Sequence, residues 1–355
     1  MRVAAFPSDD SGCGWYRIRF AAQHLASLGH DIVIDPPLGY YRDPSGDEPT
    51  RLYLDADVAV VQRISTEVGA AFVQALKDHG HRVIIDVDDD LDALHRGHPY
   101  LAEVDGSQPG RHRRYLHDAC QAADVVTVTT PALADRYGYG RAVVLPNLIP
   151  ARYLTHRRVR SKRTAEPLLV GWTGRPISHI GDAGVMGGQV GPVVAAAGGR
   201  FAAWGESADR TFLEANVPPQ ARRRMPYREL RKGYPQQVAK LDVGLVPLVD
   251  SDFNRAKSWL KGIEYAALGV PFVASPTPEY RRLAELGAGE LAETPQQWAD
   301  AVGALCASER RRADLAAAGR DVAATLTYEA HSHLWWDAWT TDRVALPSLL
   351  VSAAA

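Results

Sequence analysis

The stretch Phe253–Ser275, FNRAKSWLKGIEYAALGVPFVAS, reads as loop, then helix, then buried strand. Val243–Leu248 before it reads as another strand, so the unit is strand, loop, helix, strand. On the helix, Lys257, Lys261 and Glu264 fall at i, i+4 and i+7 and share one face. Trp259, Leu260, Ile263 and Ala267 form the stripe that should face a core. Two ammonium groups and a carboxylate near a helix start suit a ligand with phosphates and a ribose. The free N–H groups and the dipole of a helix start both favour phosphate. Lysine is scarce: of 40 Lys+Arg only 6 are Lys, and two of the six stand within five positions here. The competing reading is a solvated face with a Lys261–Glu264 pair, worth about 0.2–0.5 kcal/mol.

At 355 residues the chain is long for one core and suits two domains. A 46% hydrophobic, 23% charged composition is that of a folded globular protein. A net charge of −2 gives no global electrostatic case for nucleic acid or an anionic membrane. Cys13, Cys120 and Cys306 are far apart and odd in number, with neither metal spacing nor a disulfide framework. The chain enters a strand at Arg2–Phe6, no apolar run approaches the ~20 residues that span a bilayer, and the expected location is cytoplasmic.

Working outward, short apolar runs alternate with helical stretches. Strands are expected at Arg2–Phe6, Asp31–Ile34, Val58–Val61, Val83–Ile85, Val125–Val128 and Val143–Leu145, with helices such as Tyr16–Leu28, Val68–His79 and Arg111–Ala122 between them. That alternation predicts an α/β fold with a doubly wound parallel sheet. ARYLTHRRVRSKRTAEP, residues 151–167, is basic and aperiodic and reads as a linker. The pattern restarts at Leu168–Trp172 and runs through Arg200–Trp204, Arg224–Met225, Val243–Leu248 and Val270–Ala274 to a closing helical region, Pro295–Ala324. The expected division is therefore residues 1–150, the linker, residues 168–326, and a helical tail from 327 to 355 that packs back on the first domain. In that tail Trp335, Trp336 and Trp339 suit a helix lying on a surface.

Four constellations could carry chemistry. Gly12-Cys13-Gly14 follows the first strand, where glycines let backbone approach a ligand, but a third fingerprint glycine is missing. Arg17, just beyond, either points into the cleft or is a surface arginine. In VIIDVDDDL, Asp86, Asp88, Asp89 and Asp90 follow an apolar strand. They read as a metal-binding Asp-x-Asp, as a phosphatase nucleophile and acid, or as helix caps that also meet substrate hydroxyls at the sheet's C-terminal edge. The third reading is preferred, with Asp88 or Asp90 nearest the substrate. In VGWTGRPISHIGD, Gly171, Gly174 and Arg175 end a strand, and Arg175 would grip diphosphate oxygens. His179 and Asp182 stand at i and i+3 and could pair. The basic runs Arg157–Arg163 and Arg222–Arg224, with Arg228, Arg231 and Lys232, read as solvated surface or as a site for a polyanion.

Taken in order, GCGWYRIR, GHDIVI, TVTTPALADRYG, VVLPNLIP, VGWTGRPISH and VGLVPLVDSDFNRAKSWLKGIEYAALGVPFVAS resemble the retaining, group-1 (family 4-like) glycosyltransferases over nearly the whole chain. The resemblance implies a GT-B fold, two Rossmann-like domains facing a cleft, with the acceptor on the first and a nucleotide-sugar donor on the second. It implies that Glu264 holds the nucleotide ribose and that Lys257 and Ser258 take the diphosphate. It also implies a metal-independent reaction without cofactor, in which Lys257 and Arg175 stabilise the leaving charge. Lys257, Arg175 and Asp88 are the catalytic candidates. Glu264, Lys257, Ser258, Arg175, Gly174, Asn254 and Lys261 are donor-side, and Gly12, Gly14, Arg17, Asp90 and His179 are acceptor-side. The family's second glutamate is Ala256 here, leaving Asn254, Asp252 or Asp250 for part of its role. The acceptor is open among a natural product, a surface glycan or lipid, and a modified nucleic-acid base, and the basic runs favour an anionic one. The competing function is a non-catalytic sugar-nucleotide or glycan-binding protein on the same scaffold.

Overall fold

The structure, a computed structural model, describes residues 1–41, 51–105, 108–156, 166–174, 181–204, 213–226 and 228–341. It divides into two units. Unit 1 comprises Met1–Asn147, Ala256–Ser258 and Tyr328–Ala355, and unit 2 comprises Leu148–Arg255 and Trp259–Thr327.

Unit 1 is built on β1 (Val3–Phe6), β2 (Ile32–Ile34), β5 (Val58–Gln62), β6 (Arg82–Val87), β7 (Val125–Val128) and β8 (Ala142–Val144). Their order is β2-β1-β5-β6-β7-β8 and every pairing is parallel. The central strands VAVVQ and RVIIDV are β-branched and almost wholly buried, as expected of a sheet covered on both faces. A small antiparallel pair, β3 (Gly39–Tyr41) with β4 (Arg51–Tyr53), stands apart from that sheet. Thr66 and Thr130 cap the helices Glu67–Asp78 and Pro131–Tyr137. The C-terminal helices Tyr328–His331 and His333–Thr340 belong to this unit. Tyr328 hydroxyl donates to the Tyr16 carbonyl, Trp335 Nε1 donates to the Arg17 carbonyl (3.0 Å), and Arg82 Nε donates to the Trp339 carbonyl (3.1 Å). Trp335 and Trp339 are fully buried core residues.

Unit 2 is built on β9 (Leu169–Trp172), β10 (Arg200–Trp204), β11 (Arg222–Met225), β12 (Val243–Val246), β13 (Phe272–Ala274) and β14 (Glu290–Leu291). They lie parallel in the order β11-β10-β9-β12-β13-β14. Val170, Phe201, Leu245 and Val273 pack with Trp298 and Val302 of the helix Pro295–Ala307. A capping box of Thr294 and Gln297 starts that helix, and Ser308 starts the next, Glu309–Ala324. The expected linker is not free chain at its start: Ala151–Thr155 is a 3-10 turn, and Arg320 of the last helix bonds the carbonyls of Leu154 and His156.

In both units the strand order reverses beside the first strand. The reversal falls between β1 and β5 in unit 1, and between β9 and β12 in unit 2. Open parallel sheets take ligands at the carboxyl ends of the strands at such a point.

Candidate active site

In unit 2, Thr173 and Gly174 follow β9 and Pro247–Val249 follow β12, on either side of the reversal. The helix Leu260–Ala267 delivers two side chains toward this edge. Tyr265 lies flat against Gly244, where a Cβ would stand 2.7 Å from its ring. Its hydroxyl sits 3.2 Å from Thr173 N and 3.0 Å from Thr173 Oγ1. Glu264 is only 2% exposed. Its Oε2 accepts from Lys261 Nζ (3.1 Å) and from the Tyr234 hydroxyl (3.1 Å), and Lys261 Nζ donates to that same hydroxyl (2.7 Å). Burial works against the Lys261 charge, but Glu264, together with Tyr265 and Tyr280, outweighs it and raises the ammonium above its ordinary value. Burial, then the Glu264 carboxylate, push the Tyr234 phenol up, so it stays a neutral donor. Tyr234 went unnoticed in the sequence, where only its place between Gly233 and Pro235 sets it apart.

The shared face expected for Lys257, Lys261 and Glu264 is not what forms. Trp259 is the N-cap and the helix starts at Leu260, so Lys257 precedes it. Ala256–Ser258 belongs instead to unit 1, while the chain on either side of it belongs to unit 2. There the Ala256 carbonyl accepts from Thr130 Oγ1 (3.0 Å), Lys257 Nζ lies 3.3 Å from Asp89 Oδ1, and Ser258 Oγ accepts from Asn147 Nδ2 (2.7 Å).

Upstream, Asp182 is buried and its Oδ1 accepts from Val249 N (2.9 Å) and Asn254 Nδ2 (2.8 Å). Asp250 and Asp252 are exposed and held by Arg255. Arg175, His179 and the run Arg157–Arg163 lie outside the described residues.

In unit 1, Asp86 within β6 and the three acids after it make no side-chain cap bond to a helix, and each meets a cation. Arg17 is fully buried, so it is not a surface arginine. It donates to both Asp86 oxygens (3.1 and 2.8 Å), to the Leu145 carbonyl (2.6 Å) and to Asn147 Oδ1 (3.2 Å), while Thr127 adds a bond to Asp86 (2.7 Å). Burial pushes the Asp86 carboxyl up and Arg17 pulls it back in part. With both oxygens committed in the core, Asp86 is no phosphatase nucleophile. Asp88 Oδ1 accepts two bonds from Arg63 (3.0 and 2.6 Å), which also lies 3.4 Å from Asp89 Oδ2. Burial works against the Arg63 charge, and Asp88, together with Cys13 and Asp89, outweighs it. Asp90, with Asp88 one of the two acids expected nearest the substrate, is buried between Arg136 and the Tyr137 hydroxyl (2.9 Å). Among the described residues, no group of three or more His, Cys, Asp or Glu is arranged to hold a metal ion.

Gly12 and Gly14 open one continuous helix that runs through a π-helical segment, Trp15–Arg19, into the α-helix Phe20–Ser27. Gly14 is sterically obligatory: a Cβ there would stand 2.0 Å from the Asp9 carbonyl oxygen, whereas Gly12 has nothing within 4 Å. Cys13 Sγ sits 3.3 Å from Arg63 Nη2 at the unit 1 reversal point.

No protein-family model and no curated protein sequence matches this chain. Solved structures do. Anabaena HepE in complex with UDP and glucose superposes with a TM-score of 0.62 at 13% identity, covering 95% of this chain and 98% of that one. WaaG, a glycosyltransferase involved in lipopolysaccharide biosynthesis, superposes with a TM-score of 0.62 at 16% identity, covering 95% and 99%. S. aureus TarM, solved with UDP, superposes with a TM-score of 0.55 at 12% identity, covering 80% of this chain. This chain spans 55% of TarM's length. With two parallel six-stranded sheets, these likenesses define the GT-B fold.

Proposed function

We propose that the protein is a glycosyltransferase that moves a sugar from a nucleotide-diphosphate donor to an acceptor hydroxyl. The observation that carries this reading is Glu264: a buried carboxylate at the strand-order reversal of unit 2, fixed by Lys261 and Tyr234. A desolvated carboxylate is costly to keep, and holding both hydroxyls of a ribose is a use that repays it. Uracil is the first base to try, because HepE and GtfA were solved with UDP beside glucose or GlcNAc.

In this reading Glu264 takes the ribose, and Gly174 and Arg175 take the diphosphate. Arg175 stabilises the charge on the departing phosphate, an electrostatic role that needs no metal ion. The acceptor is bound by unit 1, and transfer is retaining. The three cysteines form no disulfide, which fits the reducing cytoplasm. No helix among the described residues is long and apolar enough to cross a membrane.

Donor hydrolysis in the absence of acceptor tests the reading. Purified protein is given UDP-, GDP-, ADP- and dTDP-sugars with and without a chelator, and free sugar is measured with its anomeric configuration. Release of the retained anomer from one base series, unaffected by chelation, is the expected result. Binding of a nucleotide-sugar with neither hydrolysis nor transfer to any glycan, lipid or nucleoside would instead indicate a binding protein.

A further inference from the structure

The carboxylate of Glu264 does not orient itself. The terminal torsion of a glutamate is broad and roughly two-fold, so hydrogen bonds decide which way its oxygens face. Two donors do so here, and both reach Oε2: Lys261 Nζ at 3.1 Å and the Tyr234 hydroxyl at 3.1 Å. They differ in stiffness. Lys261 stands on the same helix as Glu264, and its long flexible side chain is 28% exposed. Tyr234 reaches in from a separate segment and has only two side-chain torsions to fix. Its backbone is held as well. Gly233 before it takes a φ of 105°, in the left-handed region, and Pro235 follows it at the start of the helix Tyr234–Val238. Gln237 on that helix accepts from Trp204 Nε1 at the end of β10 (2.9 Å), which ties the helix to the sheet. The phenol oxygen accepts from Lys261 Nζ at 2.7 Å, so its single proton is left to donate. Glu264 Oε2, at 3.1 Å and charged, is a better acceptor for it than Thr173 Oγ1 at 3.4 Å.

We infer that Tyr234 is a positioning residue for donor recognition: its hydroxyl turns the Glu264 carboxylate to meet the hydroxyls of the ribose. The inference rests on the ribose role proposed for Glu264 and adds the group that sets its direction. A ribose presents two hydroxyls side by side, and one carboxylate serves both only from a set direction. Tyr234 acts through Glu264 and needs no contact of its own with the nucleotide. It acts as a neutral donor, because burial and then Glu264 push the phenol up. Lys261 serves the carboxylate twice, once directly and once by holding the phenol oxygen. Removing the phenol hydroxyl leaves Glu264 its cation and takes away the stiffer of the two bonds that aim it. Tyr234 thus contributes to telling a ribonucleotide from a dideoxynucleotide without touching either.

The test is calorimetric titration of the full chain with UDP and with 2′,3′-dideoxy-UDP, or with the matching pair of another base if the wild-type protein prefers one. Tyr234→Phe, Glu264→Ala and the double variant are compared with the wild-type protein. Tyr234→Phe should bind UDP about five- to tenfold more weakly, the fold-change of about one hydrogen bond, and bind the dideoxy nucleotide within about twofold of wild type. In the Glu264→Ala background the same substitution should change UDP affinity by less than about twofold, because the group it acts through is gone. Three results overturn the inference while a loss of UDP affinity in Glu264→Ala leaves the donor site standing. One is a Tyr234→Phe protein that binds UDP as wild type does. Another is equal weakening of UDP and dideoxy-UDP, as a merely structural residue would give. The third is a Tyr234→Phe penalty that persists in full without Glu264, which would place the phenol on the ligand itself. A wild-type protein that binds neither nucleotide, or both equally, overturns the ribose role of Glu264 and this inference with it.

Discussion

Arg17→Met tests the claim that Asp86, within β6, is core structure. The side chain it removes donates to both oxygens of Asp86, to the Leu145 carbonyl and to Asn147, all in a region closed to water. Methionine keeps most of the volume, so packing loss is small and the cost is electrostatic. Asp86 would be left as a buried carboxylate with only the Thr127 hydroxyl donating to it among the described residues. Breaking a buried pair in this way costs about 3–5 kcal/mol. In a domain of this size each kcal/mol moves the midpoint by roughly 2–4 °C, so the thermal midpoint of unit 1 should fall by about 10 °C. Unfolding in urea and by heat, followed by circular dichroism and tryptophan fluorescence, reads the change; Trp335 lies over the Arg17 guanidinium and reports on it. The double variant Arg17→Met/Asp86→Leu should recover most of the loss, because two apolar groups desolvate at no cost while one charge does not. A single variant within about 1 kcal/mol of wild type that nevertheless loses transfer would refute the reasoning. Arg17 would then be a ligand-binding group, as its place after the glycine loop first suggested.

Three further outcomes follow from the same geometry. Gly14→Ala drives a Cβ into the Asp9 carbonyl and should cost about 1–3 kcal/mol or more, whereas Gly12→Ala, with open space around it, should be neutral or slightly stabilising; equal midpoints for the two would contradict this. Lys261→Met leaves Glu264 with its cation gone. Allowing for the partial exposure of Lys261, roughly 2 kcal/mol of unit 2 stability should be lost in urea unfolding, and an unchanged midpoint would show the pair to be idle. On the acid side, burial would raise Asp105 and Asp124. Bonds from the Gly110 and His112 N–H groups outweigh it at Asp105, and Lys77 with the Val83 N–H outweighs it at Asp124, so both carboxyls sit below their ordinary value. A depressed carboxyl contributes stability above its unfolded-state value of about 3.9, and that contribution is lost as pH falls through the folded value. The urea midpoint of unit 1 should hold from about pH 7 to 5 and decline below about pH 4, with Asp124→Asn showing a shallower decline. A midpoint that rises on acidification would contradict the sign.

The sheets were legible because their strands are short β-branched runs, and VAVVQ and RVIIDV admit little else. β14 was missed because two residues, Glu290 and Leu291, carry no period. The π-helical turn at Trp15–Arg19 was read as ordinary helix, since the apolar stripe of the two is alike over five residues. The shared helical face was misread where spacing stood in for contact. Lys257 fits a helical period with Lys261 and Glu264, yet the helix begins three residues later and Lys257 turns to Asp89. Asp86, Asp88 and Asp90 looked like free chemistry because their cations lie 69, 25 and 46 residues away in sequence. Glu264 and Lys261 were found because both partners lie on one helix turn, three residues apart.

The central claim is that Glu264 binds the donor nucleotide, and its affinity for ribose is the quantity to measure. UDP is titrated calorimetrically into wild-type protein and into Glu264→Ala, with 2′-deoxy-UDP as the ligand-side control. Charge-assisted bonds to the ribose are worth about 1.5–3 kcal/mol, so the variant should bind UDP about 10- to 100-fold more weakly and lose its discrimination against the deoxy nucleotide. Equal UDP affinity in a folded Glu264→Ala protein would contradict the account at its centre.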